Sequence, residues 1–258
     1  MTDIMPEISV LLLIIVRVSA FFVSVPFFSY SRIPPQLRIA LAVVLSWMMY
    51  YTLDVEVIPI DGNYILLVLK EAIIGVMIGL VAFSVMTAVQ IAGGFIDFEM
   101  GFAMANVIDP QTGVQTPLMG QFFNFLILFV LLSINGHHLI LDGIFYSYQF
   151  MPIDQVFPNF GDDNIVEFLI KTFSTVFVVA FQMAAPVVAT LFLVTMALGI
   201  TAKTVPQLNI FVIGFPIKIA VGFLVLIVSM GVMIEVMEKV IEIMILSMRD
   251  FMQLLGGV

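Results

Sequence analysis

Six long apolar stretches, at about residues 8–28, 37–53, 64–92, 122–141, 169–199 and 210–234, constrain this chain more than any other feature. Each approaches or exceeds the ~20 residues that a helix needs to cross a bilayer. The rest of the composition agrees: 62% of the residues are hydrophobic and only 10% charged, against roughly 25% charged in an average soluble domain. Mean hydropathy is +1.19. A soluble single-core enzyme is excluded, and the predicted class is an all-α polytopic membrane protein with six crossings as the default count. The second run is short. The third and fifth are too long for one straight crossing, which predicts tilt, a break or protrusion beyond the lipid, with Pro186 as the candidate break in the fifth.

The charges narrow the choice of partners. Net charge is −9 and the nine Lys and Arg never cluster, so nothing here neutralises a row of phosphates and nucleic acid is not an expected partner. With no cysteine, disulfides, thiolate metal sites, iron–sulfur clusters and cysteine nucleophiles are excluded. Asp3 and Glu7 precede the first run and Arg17 interrupts it, unlike the basic flank of a signal peptide, so the run reads as retained structure. Arg32, Arg38 and Lys203, against Asp54, Glu56 and Asp61, place the N-terminus outside. Asp142, Asp154, Asp162, Asp163 and Glu167, with Pro152 and Pro158, predict a solvated, non-helical loop over 142–168. Beyond 234, Met230, Met233, Met237, Met244 and Met248 form one helical stripe opposite Glu235, Glu238, Lys239, Glu242 and Arg249. Such an amphipathic tail packs on its own neighbours, docks in a partner's groove or lies on the bilayer surface.

Four charges fall well inside apolar runs, away from their ends: Arg17, Lys70, Glu71 and Lys218. At a bilayer centre a charged residue costs about 2.5 to 3.5 kcal/mol on insertion scales, so helices carrying one should face protein or water. A transporter with an ion relay through Lys70, Glu71, Asp97 and Glu99 is one reading. An assembly subunit whose charges pair at seams with other subunits is the other, and the preferred one. Gly75 and Gly79 add a small-xxx-small pair that allows close helix approach. No nucleotide-binding glycine motif occurs. His137 and His138 are adjacent, hence about 100° apart on a helix, without a third ligand at a regular offset. Ser133, His137 and Asp142 lack an accompanying nucleophile turn or oxyanion loop. No catalytic residue, metal site or cofactor is expected.

The most informative segment is residues 90–121, QIAGGFIDFEMGFAMANVIDPQTGVQTPLMGQ. Its five glycines, Pro110 and Pro117 argue against one continuous helix, yet Phe95, Phe98, Met100, Phe102, Met104 and Met119 make it too apolar for an ordinary surface loop. Irregular backbone of this kind belongs inside protein or along a cavity. It reads as a re-entrant segment lining or closing a pore, or as a buried connector.

This segment resembles the FliR family of flagellar export-gate proteins and their SpaR/SctT relatives in virulence injectisomes. The matching residues are Gln90, Gly93, Met100-Gly101, Asp109-Pro110-Gln111 and Gly113, then Asn135-Gly136-His137, then Pro206-Gln207-Leu208-Asn209-Ile210-Phe211 and Gly214-Phe215-Pro216-Ile217-Lys218. Ala185-Pro186, Leu191, Gly199, Gln207, Asn209, Phe215, Pro216 and Lys218 also resemble the two-helix FliQ proteins. The resemblance implies a FliP-like part over 1–160 fused to a FliQ-like hairpin with its tail over 161–258. It further implies a non-enzymatic subunit that joins FliP-like and FliQ-like partners, associates with FlhB and FlhA, and forms an inner-membrane channel at the flagellar basal body for unfolded export substrates. Loop 101–117 would be the channel plug, carried by Met100, Gly101, Phe102, Met104, Val107, Asp109, Pro110 and Gly113, with Gly101 and Gly113 as hinges. Arg17, Lys70, Glu71, Gly75, Gly79, Gln207, Asn209 and Lys218 would serve subunit interfaces, the Gln207-Leu208-Asn209 turn meeting FlhB. A virulence injectisome gate and a small-ion or solute transporter are the alternative functions.

Overall fold

A computed structural model describes residues 7–30, 33–53, 58–102, 117–155, 163–205, 207 and 209–257. Among them every regular element is an α-helix: α1 (Ile8–Ser24), α2 (Pro35–Tyr50), α3 (Gly62–Met100), α4 (Leu118–Ser133), α5 (Gly136–Phe150), α6 (Asp163–Thr204) and α7 (Ile210–Gly256). The chain is the all-α polytopic membrane protein that its apolar runs predict. Local chemistry sets several boundaries. Pro35 opens α2 at its first position, where a missing N–H costs nothing. The Asp61 carboxylate caps α3, accepting the amides of Asn63 at 3.0 Å and Tyr64 at 3.2 Å. Asn135, in the left-handed region at φ 57, interrupts the apolar run 122–141 between α4 and α5.

Among the described residues three helices, within α3, α6 and α7, are long and apolar enough to cross a membrane, or up to four if α4 and α5 count as one broken span. This corrects the six-crossing count: α1 has 17 residues and α2 has 16, short of a crossing. At 1.5 Å per residue, α3, α6 and α7 run about 58, 63 and 70 Å, roughly twice the ~30 Å hydrocarbon core. The break expected in the fifth run does not occur, because α6 is one helix with Pro186 inside it. The ring lies on an exposed face, where losing one amide and clashing with one carbonyl is tolerated. Residues 142–150 are also helical, so the acidic loop begins only at Met151.

The chain divides into two compact units. Unit 1 comprises 1–85, 135–173 and 242–258; unit 2 comprises 86–134 and 174–241. Unit 1 packs Leu13, Ile14, Phe21, Ile74, Ile78, Ile144, Met244, Met248 and Phe251 into its core, and unit 2 packs Val89, Ile96, Met100, Phe123, Ile127, Leu131, Val187 and Leu191. The methionine stripe of the tail belongs to these interiors: Met233, Met237, Met244 and Met248 are at most 2% exposed. Of the three readings for the tail, packing on its own neighbours is the one realised.

Candidate functional site

In unit 2, α3 continues through Gly93 and Gly94 to Met100. The helical break expected across 90–121 is therefore confined to residues after 100. Gly93 serves a close approach rather than a turn: a methyl group there would strike the backbone of Met119 and Gly120 at the start of α4. The helix ends in a Schellman motif, with Gly101 at φ 88. Its amide donates to the Phe98 carbonyl at 3.2 Å, and the Phe102 amide donates to the Asp97 carbonyl at 3.0 Å.

The N-terminal half of α7 closes over this turn. The Phe215 ring occupies the space that a Gly101 side chain would need, and Gly222 leaves room for the fully buried Met100. The rings of Phe102 and Phe223 meet edge-on with centroids 6.5 Å apart. Met100, Gly101 and Phe102 thus form one apolar seat. Met104, Val107, Asp109, Pro110 and Gly113 lie outside the described residues. The other end of the segment is equally well held: the Asp97 carboxylate accepts the Met119 amide at 3.0 Å. Sequence reasoning singled out neither this bond nor Phe223 and Gly222. The only signal for the bond was an acid and a glycine one helical turn apart in an apolar run.

Unit 1 gathers three of the four charges that sit well inside apolar runs, Arg17, Lys70 and Glu71. Arg17 of α1 forms a fork with Glu71 of α3, Nε donating at 2.5 Å and Nη2 at 2.9 Å, a bidentate geometry that is among the stronger polar contacts. Its other donors reach the Ser147 hydroxyl at 3.1 Å and the Met151 carbonyl at 2.9 Å. The guanidinium carbon lies 3.9 Å from the centre of the Tyr148 ring, a cation–π contact. Lys70 pairs with Glu71 at 2.7 Å and donates to the carbonyls of Pro152, Ile153 and Gln155 at 2.9 to 3.0 Å. Arg17 and Glu71 are wholly buried, and Lys70 is 5% exposed. The hydrogen bonds of these three residues are made inside unit 1, where they tie α1, α3, α5 and the strand of chain after α5 into one block.

Gly75 and Gly79 lie on α3 against α1. A side chain at Gly75 would meet the Arg17 carbonyl, and one at Gly79 would meet Ser24. Gln207 and Asn209 are exposed on the turn between α6 and α7, and the Asn209 carbonyl accepts the Val212 amide at 3.1 Å as α7 begins. Lys218 is half-buried and forms no ion pair among the described residues. The arrangement is one of seats, ties and apolar faces.

The model for bacterial export proteins, family 1, matches residues 8–244. This chain belongs to that family. It is 52% identical to the flagellar biosynthetic protein FliR of Bacillus subtilis, with 95% of each chain covered. Its identity to the flagellar biosynthetic protein FliR of Escherichia coli is 28% over 81% of this chain and 79% of the relative. With the Yop proteins translocation protein T of Yersinia pestis it is 31% over 66% of each. For a member of bacterial export proteins, family 1, the geometry above amounts to a compact unit 1 tied together by buried charges, and a second unit held at Gly101-Phe102 and at the start of α4.

Proposed function

We propose that the chain is a non-enzymatic subunit of the flagellar type III secretion export gate. With FliP-like and FliQ-like subunits it forms the inner-membrane channel that passes unfolded flagellar proteins. The observation that carries this reading is 52% identity to a flagellar biosynthetic protein over nearly the whole of both chains. The weaker likeness to a Yersinia translocation protein supports an injectisome gate as the second reading, at lower identity and coverage.

The surface suits an assembly. Large apolar side chains stand exposed along α6 and α7, among them Phe177, Phe181, Leu193, Ile227 and Val228 at 57 to 79%. Exposed apolar area on this scale calls for lipid or a partner surface. Lys218, without an ion pair of its own, is proposed to complete one at a seam. Seams with sister subunits form over the surfaces that Arg17, Lys70, Glu71, Gly75 and Gly79 hold in shape. The Gln207-Leu208-Asn209 turn meets FlhB, and FlhA associates with the complex. By the same resemblance, 1–160 is FliP-like and 161–258 is FliQ-like, a division by kinship rather than by compactness.

The segment between Gly101 and Pro117 is proposed to be the plug, with Met100, Gly101, Phe102, Met104, Val107, Asp109, Pro110 and Gly113 as its working residues. A narrow apolar constriction sheds water and blocks ions, while flexible Met side chains yield to a passing polypeptide. Co-expression with FliP-like and FliQ-like chains tests the assembly: a stoichiometric complex is expected, and solute uptake by the lone purified chain would argue for a transporter instead. Crosslinking from position 207 or 209 is expected to capture FlhB; capture of no partner removes that contact.

A further inference from the structure

Outside the charged cluster of unit 1, the one buried Asp, Glu, Lys, Arg or His among the described residues is Asp97, 4% exposed. It sits one turn before Gly101 and is engaged twice. Its carbonyl accepts the Phe102 amide at 3.0 Å as the outgoing chain leaves α3. Its carboxylate accepts the Met119 amide, Oδ2 at 3.0 Å and Oδ1 at 3.2 Å, as the returning chain enters α4. Helix α4 needs such a partner. It begins behind Pro117, which offers no capping side chain, so the amides of its first turn are otherwise orphaned. A carboxylate satisfies one of them and has the favourable charge for a helix N-terminus. Gly93, four residues earlier on the same face of α3, lets the backbones of α3 and α4 come into contact there.

We propose that Asp97 is a positioning residue: by binding both the chain leaving α3 and the first turn of α4, it fixes how far apart the two ends of the segment 103–116 are held. Its consequence for conduction rests on reading that segment as the plug. Removing the carboxylate leaves the part-buried Met119 amide unpaired and frees α4 to move off α3. The two roots then separate, and the segment between them loses its fixed span.

The chain contains no cysteine, so Phe98→Cys and Leu118→Cys place a unique pair of spin labels in it, at sites 72% and 57% exposed. The experiment measures dipolar broadening between them in the full complex with cysteine-free partner subunits, alongside ion leak through the same complex. Broadening is expected in the parent and in Asp97→Asn, which keeps an acceptor of the same shape, and is expected to be lost in Asp97→Ala. If Asp97→Ala fails to assemble, Asp97→Ser decides: its hydroxyl satisfies itself on the preceding turn but is too short to reach Met119, so loss is again expected. Broadening retained in Asp97→Ala or Asp97→Ser overturns the proposal, whatever the leak. Broadening lost without any rise in leak upholds Asp97 and counts against the plug.

Discussion

At the scale of single residues, the buried trio of Arg17, Glu71 and Lys70 makes unequal demands on its members. Arg17→Ala strips Glu71 of its fork and leaves a carboxylate sealed in unit 1 with one cation. Breaking a buried pair from one side costs about 3 to 5 kcal/mol. Lys70→Met removes the weaker, single contact to Glu71 and vacates three carbonyls, but the Arg17 fork keeps Glu71 neutralised, so a smaller loss, of about 1 to 3 kcal/mol, is expected. A larger drop in the unfolding midpoint of the solubilised protein is therefore expected for Arg17→Ala than for Lys70→Met; the reverse order would refute the assignment of Arg17 as the centre of the cluster. Gly101→Ala tests the end of α3. It places a side chain at φ 88 and into the Phe215 ring, where the left-handed conformation alone costs about 1 to 2 kcal/mol. Reduced thermal stability is expected; a midpoint equal to the parent's would contradict the close contact of Gly101 with Phe215.

At the scale of elements, α1 and α3 are held together by what α3 lacks. A side chain at Gly79 would overlap Ser24 and crowd the Val25 amide, so Gly79→Leu should cost at least the 1 to 3 kcal/mol of an overpacked core. A fall in assembled complex on size-exclusion chromatography, with Gly79→Ala intermediate, is the expected outcome; equal yields for all three would place the contact elsewhere. This pair was legible in the sequence because spacing alone puts positions 75 and 79 on one face. The Arg17–Glu71 pairing was not, since the two residues are 54 positions apart and an intruding charge does not reveal whether its partner is in the same chain. Composition misjudged three boundaries for related reasons. Pro186, Gly93-Gly94 and Asp142 all disfavour a helix by propensity, yet packing and an exposed face keep each inside one. The number of crossings was overread because apolar runs record burial in protein as readily as burial in lipid, and α1, with Leu13, Ile14, Phe21 and Phe22 essentially inaccessible, is a core helix.

At the scale of the whole molecule, three helices of about 58 to 70 Å in a family of export proteins leave much apolar surface exposed, and the gate reading assigns that surface to sister subunits and lipid. On that reading the segment between Gly101 and Pro117 is proposed to be the part of this subunit that acts on traffic. Conductance of the purified complex in a planar bilayer tests this most directly, comparing the parent with a variant shortened across 102–112. The account predicts a nearly silent parent and a variant that passes small ions continuously. Equal conductance in the two, with export by the shortened variant undiminished in cells, would contradict it.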